Sequence, residues 1–287
     1  MTPHADEAEQ VSAGLRKVLN LHGHGFHYAI LRHASQMSFD RESSWRFDVA
    51  EFPVVAGNKP IHIDFVFRSP SGQTCLVAEC KRVDPARGRW CFARAPYTWR
   101  NPSSEVIFDQ FVCQPPHTVR QEPCVKRTES GIYQLGIELK TGIEGDGTSQ
   151  GGSTAIDKAV TQVLRGTSGL VNHLFKRGSR SYGEERVVRF VPTVFTTAEL
   201  WVTEVDLGAA DLTTGDLTQV ALEAKKAPWI WHNYNRSPDL RHDLEWSNFG
   251  TDLTKELKYE SARSIAIVSP EGISDFLRWN LEEWLEP

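Results

Sequence analysis

Two strand-like runs joined by a four-residue turn constrain this chain more than any other feature. Ile61 to Phe67 (IHIDFVF) and Thr74 to Val83 (TCLVAECKRV) are dense in β-branched, aromatic and aliphatic residues, the composition of half-buried or buried strands. Between them stands Ser69-Pro70-Ser71-Gly72, a cluster of turn formers. A regular hairpin centred on Ser71-Gly72 pairs residues whose numbers sum to about 143, which sets Asp64 opposite Glu79. Directly opposed residues have Cβ atoms roughly 4.5–5.5 Å apart. Two carboxylates at that distance repel, and their neighbours Ile63, Phe65, Val77 and Ala78 are apolar. A cation between them removes the conflict, and oxygen ligands select a hard ion, Mg²⁺ or Mn²⁺. Glu79 and Lys81 are two apart on one strand and share a face, so Lys81 is aimed at the same point.

That constellation suits phosphodiester hydrolysis. A metal polarises a phosphoryl oxygen and lowers the pKa of a bound water, and a lysine beside it orients that water or stabilises developing charge. The triplet Glu-x-Lys alone is weak evidence, because the chain holds four: Glu79-Cys80-Lys81, Glu138-Leu139-Lys140, Glu223-Ala224-Lys225 and Glu256-Leu257-Lys258. The ordinary meaning of such a triplet is a surface ion-pair pattern. Glu256 and Lys258 fall in a helical pattern, where they do not share a face. Glu138 has no upstream carboxylate partner. Glu223 is the rival, since a return across Thr214-Gly215 sets Asp206 opposite it.

Along the rest of the chain, Asp6 to Leu21 carries Val11, Leu15, Val18 and Leu19 on one helical stripe. His22-Gly23-His24-Gly25 reads as a loop. Trp45 to Val55 alternates as a strand and ends at the turn signal Gly57-Asn58. The region from 84 to about 153 holds aromatics, prolines, one clear strand candidate (Ile132 to Lys140) and a Gly/Ser-rich stretch, and reads as an insertion between core elements. Thr154 to Lys176 is the strongest helix, with Gly166 and Gly169 as points where it could bend. Val187 to Phe195 and Glu199 to Val205 read as strands, with Leu217 to Ala224 returning on the latter. The elaboration from about 206 to 287 ends in a strand (Ser264 to Val268) and a closing helix (Ile273 to Leu285). Helix, three strands, helix, strand implies an α/β sandwich around a mixed sheet, within a single domain over residues 1–287.

Composition narrows the function classes. No run approaches the roughly 18 apolar residues that span a membrane, and the N-terminus is polar and acidic, so a cytoplasmic location is the default expectation. Five cysteines, none in a CxxC pair, argue against a zinc knuckle or a disulfide framework. The net charge of −5 argues against a protein that coats nucleic acid, but Lys158 to Arg189 is locally basic, as a phosphate-binding face or a solvated helix would be.

The segments IHIDFVF and CLVAECKRV resemble the second and third core strands of PD-(D/E)XK nucleases, whose restriction-endonuclease-like fold has an αβββαβ core. The later stretches AVTQVLRG and FVPTVFTTAELWV resemble the helix and fourth strand that follow in that superfamily. The resemblance covers about 45–83 and 155–205, leaving a long insertion and a C-terminal extension outside it. It implies Asp64 and Glu79 as metal ligands, Lys81 as the residue that assists the attacking water, and Gln162 in support. Glu51 is the first candidate to complete the metal shell, with Glu7 or Glu9 behind it; an exposed strand carboxylate is its ordinary reading. Lys158, Arg165 and Arg82 would contact the nucleic acid. Ile63 stands where Pro is the family's namesake residue.

The expectation is therefore an Mg²⁺- or Mn²⁺-dependent nuclease acting on DNA, in restriction, repair or defence. Two alternatives remain: a catalytically silent module of the same fold that binds nucleic acid or assembles with a partner, and a hydrolase of another phosphoester. Other features weigh less. His22, His24 and His27 match no defined ligand spacing and read as a solvated loop. Trp90, Phe92, Tyr97 and Trp99, interleaved with arginines, could stack on bases or form a small core. Trp279 and Trp284 read as packing on the chain's own core, with dimerisation as the alternative.

Overall fold

The computed structural model describes residues 3–21, 23–94, 105–114, 118–128, 131–139, 155–175, 186–204, 210–217, 223–235, 237, 240, 245–246, 261–279 and 281–285. Those residues form a mixed α/β structure with five α-helices and a central sheet of mixed orientation. Helix α1 (Pro3–Leu21) and α2 (His24–Phe39) precede strands β1 (Arg46–Ala56), β2 (Lys59–Arg68) and β3 (Thr74–Lys81). Strands β1 and β2 join through Gly57 and Asn58, whose φ angles of 55° and 63° are those a two-residue hairpin turn of the right twist demands. Gly72, at φ 71°, closes the next turn.

Strand β3 is the centre of this part of the sheet. It pairs antiparallel with β2 and parallel with β9 (Arg186–Thr196), and every residue from Thr74 to Cys80 is buried. Burial on both faces explains why its sequence is a near-continuous apolar run. One face meets α2 and the C-terminal helices: Phe65, Leu76, Ala78 and Cys80 pack with Ile30, Ala34, Phe276 and Leu281. The other face meets α3 (Ala155–Phe175): Ile63, Val66 and Val77 pack with Leu170 and Val171. The sheet therefore lies between two helical layers, as the element order implied.

Gly166 and Gly169 act by letting α3 come close, and the helix runs through both as one element. A Cβ on Gly169 would stand 2.5 Å from Val54 Cγ2, and one on Gly166 3.2 Å from Ile63 Cγ1. The region from 84 to 153 contributes more strand than its sequence suggested. Strands β5 (Glu105–Gln114) and β6 (Thr118–Arg127) join the main sheet through β9, and β7 (Ile132–Tyr133) pairs with β12 (Trp229–Asn235). Strands β4 (Arg89–Ala93) and β8 (Leu135–Leu139) form a second sheet with β10 (Glu199–Thr203) and β11 (Ala224–Lys226). A two-residue strand, β13 (Glu245–Trp246), pairs with β6, and β14 (Ala262–Val268) lies between β9 and β12.

The expected closing helix is two short ones, α4 (Ile273–Arg278) and α5 (Leu281–Leu285), parted where Trp279 turns extended. Trp279 and Trp284 stack within a cluster with Trp229 and Trp231, so this segment packs on its own core. Among the described residues no helix is long and apolar enough to cross a membrane.

Candidate metal centre

The β2–β3 ladder runs from Arg68↔Cys75 to Phe65↔Ala78, the register that the turn at Ser71-Gly72 dictates. It stops there, one position short of Asp64 and Glu79. In place of a further backbone bond, Asp64 Oδ2 accepts the backbone N–H of Cys80 at 2.6 Å. The two strands thus part where the two carboxylates stand, and both remain buried, Asp64 at 7% and Glu79 at 5% exposure.

Burial without compensation has an electrostatic consequence. Loss of solvent, and then the nearby Asp64 charge, push the Glu79 carboxyl up to about 9, against the pull of Lys81. Asp64 is raised as well, by burial first; the Cys80 N–H and His27 pull it back and Glu51 pushes it further up. Lys81, half-buried at the end of β3, is therefore close enough to bias both carboxylates. One lysine does not neutralise two buried acids, so the pair retains a proton that a divalent cation would displace.

A fourth group was not legible as a ligand. His27, on the first turns of α2, puts Nε2 3.5 Å from Asp64 Oδ2 and 3.3 Å from the Cys80 carbonyl oxygen, and Nδ1 3.7 Å from Glu51 Oε1. Nδ1 is buried with no hydrogen-bond partner among the described residues. His27, Asp64 and Cys80 place potential ligand atoms within 4.8 Å of one another. Of Cys80, the carbonyl is the better donor, because burial and the surrounding carboxylates hold the thiol well above its usual pKa. The sequence did contain a signal: Ile30, Ala34 and Met37 are the buried residues of α2, a helical stripe that His27 extends backward by three. The glycines at 23 and 25 masked it.

Glu51 faces the same place from β1. Its neighbours pair as Ala50↔Phe65 and Phe52↔Ile63, which sets it level with Asp64, and its φ of 51° is left-handed. A non-glycine residue in that region costs on the order of 1 kcal/mol or more. Its carboxylate is mostly exposed, at 62%.

The other expected site residues are placed as follows. Gly166 of α3 lies over Ile63 and Val77, and Val160 and Val163 share a cluster with Val83, so Gln162 is on the turn of α3 level with Glu79 to Lys81. It is half-buried. Lys158 is exposed and Arg165 half-buried. Arg82 gives Nη1 to the Asn20 carbonyl at the end of α1, 2.7 Å away. The basic stretch is not one continuous phosphate face: Arg186 bonds the Gly72 carbonyl and buried Arg189 bonds Gln110. Lys176, Arg177 and Arg180 lie outside the described residues.

The glutamates of two competing Glu-x-Lys triplets have ordinary roles. Glu138 is buried and its Oε1 accepts the Ile156 N–H, capping α3. Glu223 is exposed and pairs with Lys225 at 3.3 Å. Asp206 and the triplet at 256–258 lie outside the described residues. Of the two readings of the aromatics at 90–99, Trp90 and Phe92 take the core one: both are fully buried and unable to stack on bases, while Tyr97 and Trp99 lie outside the described residues.

No family model matches the chain, and no curated protein or solved structure is significantly similar to it.

Proposed function

We propose that this protein is a divalent-metal-dependent nuclease of the PD-(D/E)XK superfamily, with a restriction-endonuclease-like core, that hydrolyses phosphodiester bonds in DNA. The observation that carries the reading is the buried Asp64–Glu79 pair, with the Glu79 carboxyl pushed up to about 9, at the point where two paired strands separate beside a lysine. Two adjacent buried acids cost stability, and groups perturbed in this way cluster at functional sites. Helix α2 and antiparallel strands β1 to β3, followed beyond the intervening strands β4 to β8 by α3 and by β9 parallel to β3, support the superfamily assignment.

Asp64, His27 and the Cys80 carbonyl would hold the ion, with Glu79 reaching it by a turn of its side chain and Glu51 at the exposed edge. Three oxygen donors suit Mg²⁺ or Mn²⁺, and the imidazole nitrogen tilts the set toward Mn²⁺. Such an ion supplies Lewis-acid polarisation of a phosphoryl oxygen and a bound water of lowered pKa. Lys81 sets a fixed positive charge at the same end of β3, where it orients the attacking water and stabilises charge developing on the phosphate. The apolar residues around the pair keep bulk water from screening that charge. Gln162 supports the site from α3, and Lys158 and Arg165 beside it take the flanking backbone phosphates.

The test is cleavage of plasmid and single-stranded DNA by purified protein with Mg²⁺, Mn²⁺ or EDTA, beside a Glu79→Ala control. Metal-dependent cutting that the control lacks supports the reading. Tight, metal-independent DNA binding with no cutting would replace it with a silent module of the same fold.

A further inference from the structure

The C-terminal end of α2, the segment from Arg41 to Phe47 that follows it, and Pro70 of the β2–β3 turn enclose an open groove of about 780 Å³, within the size range of small-ligand sites. Arg41, Arg46, Ser35, Ser38, Ser43 and Ser44 line it, and no carboxylate of a described residue does. Two of the serines pin its wall. Ser38 Oγ donates to the Trp45 carbonyl at 2.9 Å, and Ser43 Oγ to the Leu277 carbonyl at 2.8 Å. The positive charge of the groove is uncompensated. Arg46 stands opposite Arg68 in the β1–β2 ladder, a like-charge pair that costs stability, and the carboxylate beside them, Asp48, goes to Arg68 at 2.6 Å. Arg41 holds a left-handed φ of 57°, a strained conformation for arginine. The usual task of a basic side chain at a helix end is to bond the last carbonyls. Here the backbone N–H groups of Asp40, Arg41 and Glu42 take the carbonyls of Gln36, Ser38 and Met37, and Glu42 pairs with Arg278. Among the described residues neither Arg41 nor Arg46 is in an ion pair. Phe39 lines the groove too, at 88% exposure, and is shared with a second groove lined by Gln36, Asp40 and Glu42. That neighbour offers acceptors, which suit the amino and ring N–H groups of a base.

We propose that these adjoining grooves are a nucleotide-binding site. The phosphate lies on Arg41 and Arg46 with Ser35 and Ser44, the base stacks on Phe39, and its edge meets Gln36 and Asp40. A phosphate removes the conflict between Arg46 and Arg68 and gives both unpaired guanidiniums charge-assisted bonds. The same chemistry comes as a free nucleotide or as the phosphorylated end of a strand. Phe39 lies twelve residues along α2 from His27, about 18 Å at the helical rise, so the site is separate from the metal centre. The inference stands apart from the nuclease reading.

Calorimetric titration of the full chain with adenosine monophosphate (AMP) tests it, in EDTA so that the metal centre takes no part. One AMP per chain is expected, with a Kd below about 1 mM, and inorganic phosphate should bind at least about tenfold more weakly for want of the stacked base. Arg41→Ala with Arg46→Ala is expected to weaken AMP binding by at least about 30-fold. Phe39→Ala should weaken it by about tenfold and leave inorganic phosphate unchanged. All three side chains are exposed, so both variants should melt as the parent does. A short oligonucleotide with a terminal phosphate, beside the same strand without it, separates the sources. A strand end is the occupant if the phosphorylated strand binds more tightly than AMP, and a free nucleotide if AMP binds more tightly. No AMP binding at millimolar concentration, binding that survives loss of both arginines, or inorganic phosphate bound as tightly as AMP overturns the proposal. Cleavage and metal binding are read separately, so failure here leaves the metal centre untouched.

Discussion

Asp64 Oδ2 takes the backbone N–H of Cys80 at 2.6 Å, and so ends the β2–β3 ladder with a side chain. The carboxylate that would hold a metal is thereby fixed by the backbone on which the other two residues of the constellation, Glu79 and Lys81, are strung. The second Asp64 oxygen is left for other partners. Distortion of β3 would move all three groups together, so the site is tied to a strand that is buried from Thr74 to Cys80.

Lys81→Ala is expected to reduce the cleavage rate by at least about 100-fold, the scale for removing one preorganised electrostatic partner of a transition state. Its side chain is half-buried at a strand end, so melting should shift by little. Plasmid nicking beside a thermal melt of the same sample checks both. A variant that folds and retains full activity would sink the assignment of Lys81.

Without metal, stability should fall as pH rises. Glu79 in the unfolded chain releases its proton near 4.5, whereas in the folded protein it holds it to about 9. The folded state therefore binds the extra proton between those values. The stabilisation is complete below the lower one and is lost progressively toward the upper. Glu79→Gln should flatten this dependence. Urea titrations of both proteins in EDTA at pH 5, 7 and 9 measure it.

Metal binding should release protons and tighten with pH. At pH 7 the Glu79 carboxyl must give up its proton to ligate, so about one proton per ion should appear. Calorimetric titration with Mn²⁺ in two buffers of different ionisation enthalpy counts it. The count should drop in Glu79→Gln; an unchanged count would mean that the proton comes from elsewhere.

His27→Ala should weaken Mn²⁺ binding by about 10- to 100-fold, and Mg²⁺ binding by less, because nitrogen donors favour the transition metal. Its ring lies 3.5 Å from Asp64 and against Phe65, so some loss of packing is also expected. The ratio of the two affinities, not either alone, is the diagnostic. Equal losses for both ions would remove His27 from the ligand set.

Gly169→Ala should destabilise by about 1–3 kcal/mol, since the added methyl would stand 2.5 Å from Val54 Cγ2 and 3.2 Å from the Val55 carbonyl oxygen. Denaturant midpoints measure it. No loss would show that α3 can lift from β1 without cost.

The hairpin carrying Asp64, Glu79 and Lys81 was legible because its determinants are local. A turn at Ser71-Gly72 and period-two geometry fix which residues oppose one another within about twenty positions of chain. The strong apolar period of α3 was legible for the same reason. The rest was decided by contacts between distant segments. His27 reaches Asp64 only because α2 docks on the face of the sheet that also receives the C-terminal helices. Strands β5 and β6, hidden in a stretch that read as an insertion, became strands by finding the edge of β9. Glu138 and Glu79 share the same local pattern, and only packing made one a helix cap and the other half of a buried acid pair. Sequence spacing sets which side chains share a face. Which of those faces loses its water, and so acquires shifted charge and ligand-binding capacity, depends on what the whole chain lays over it.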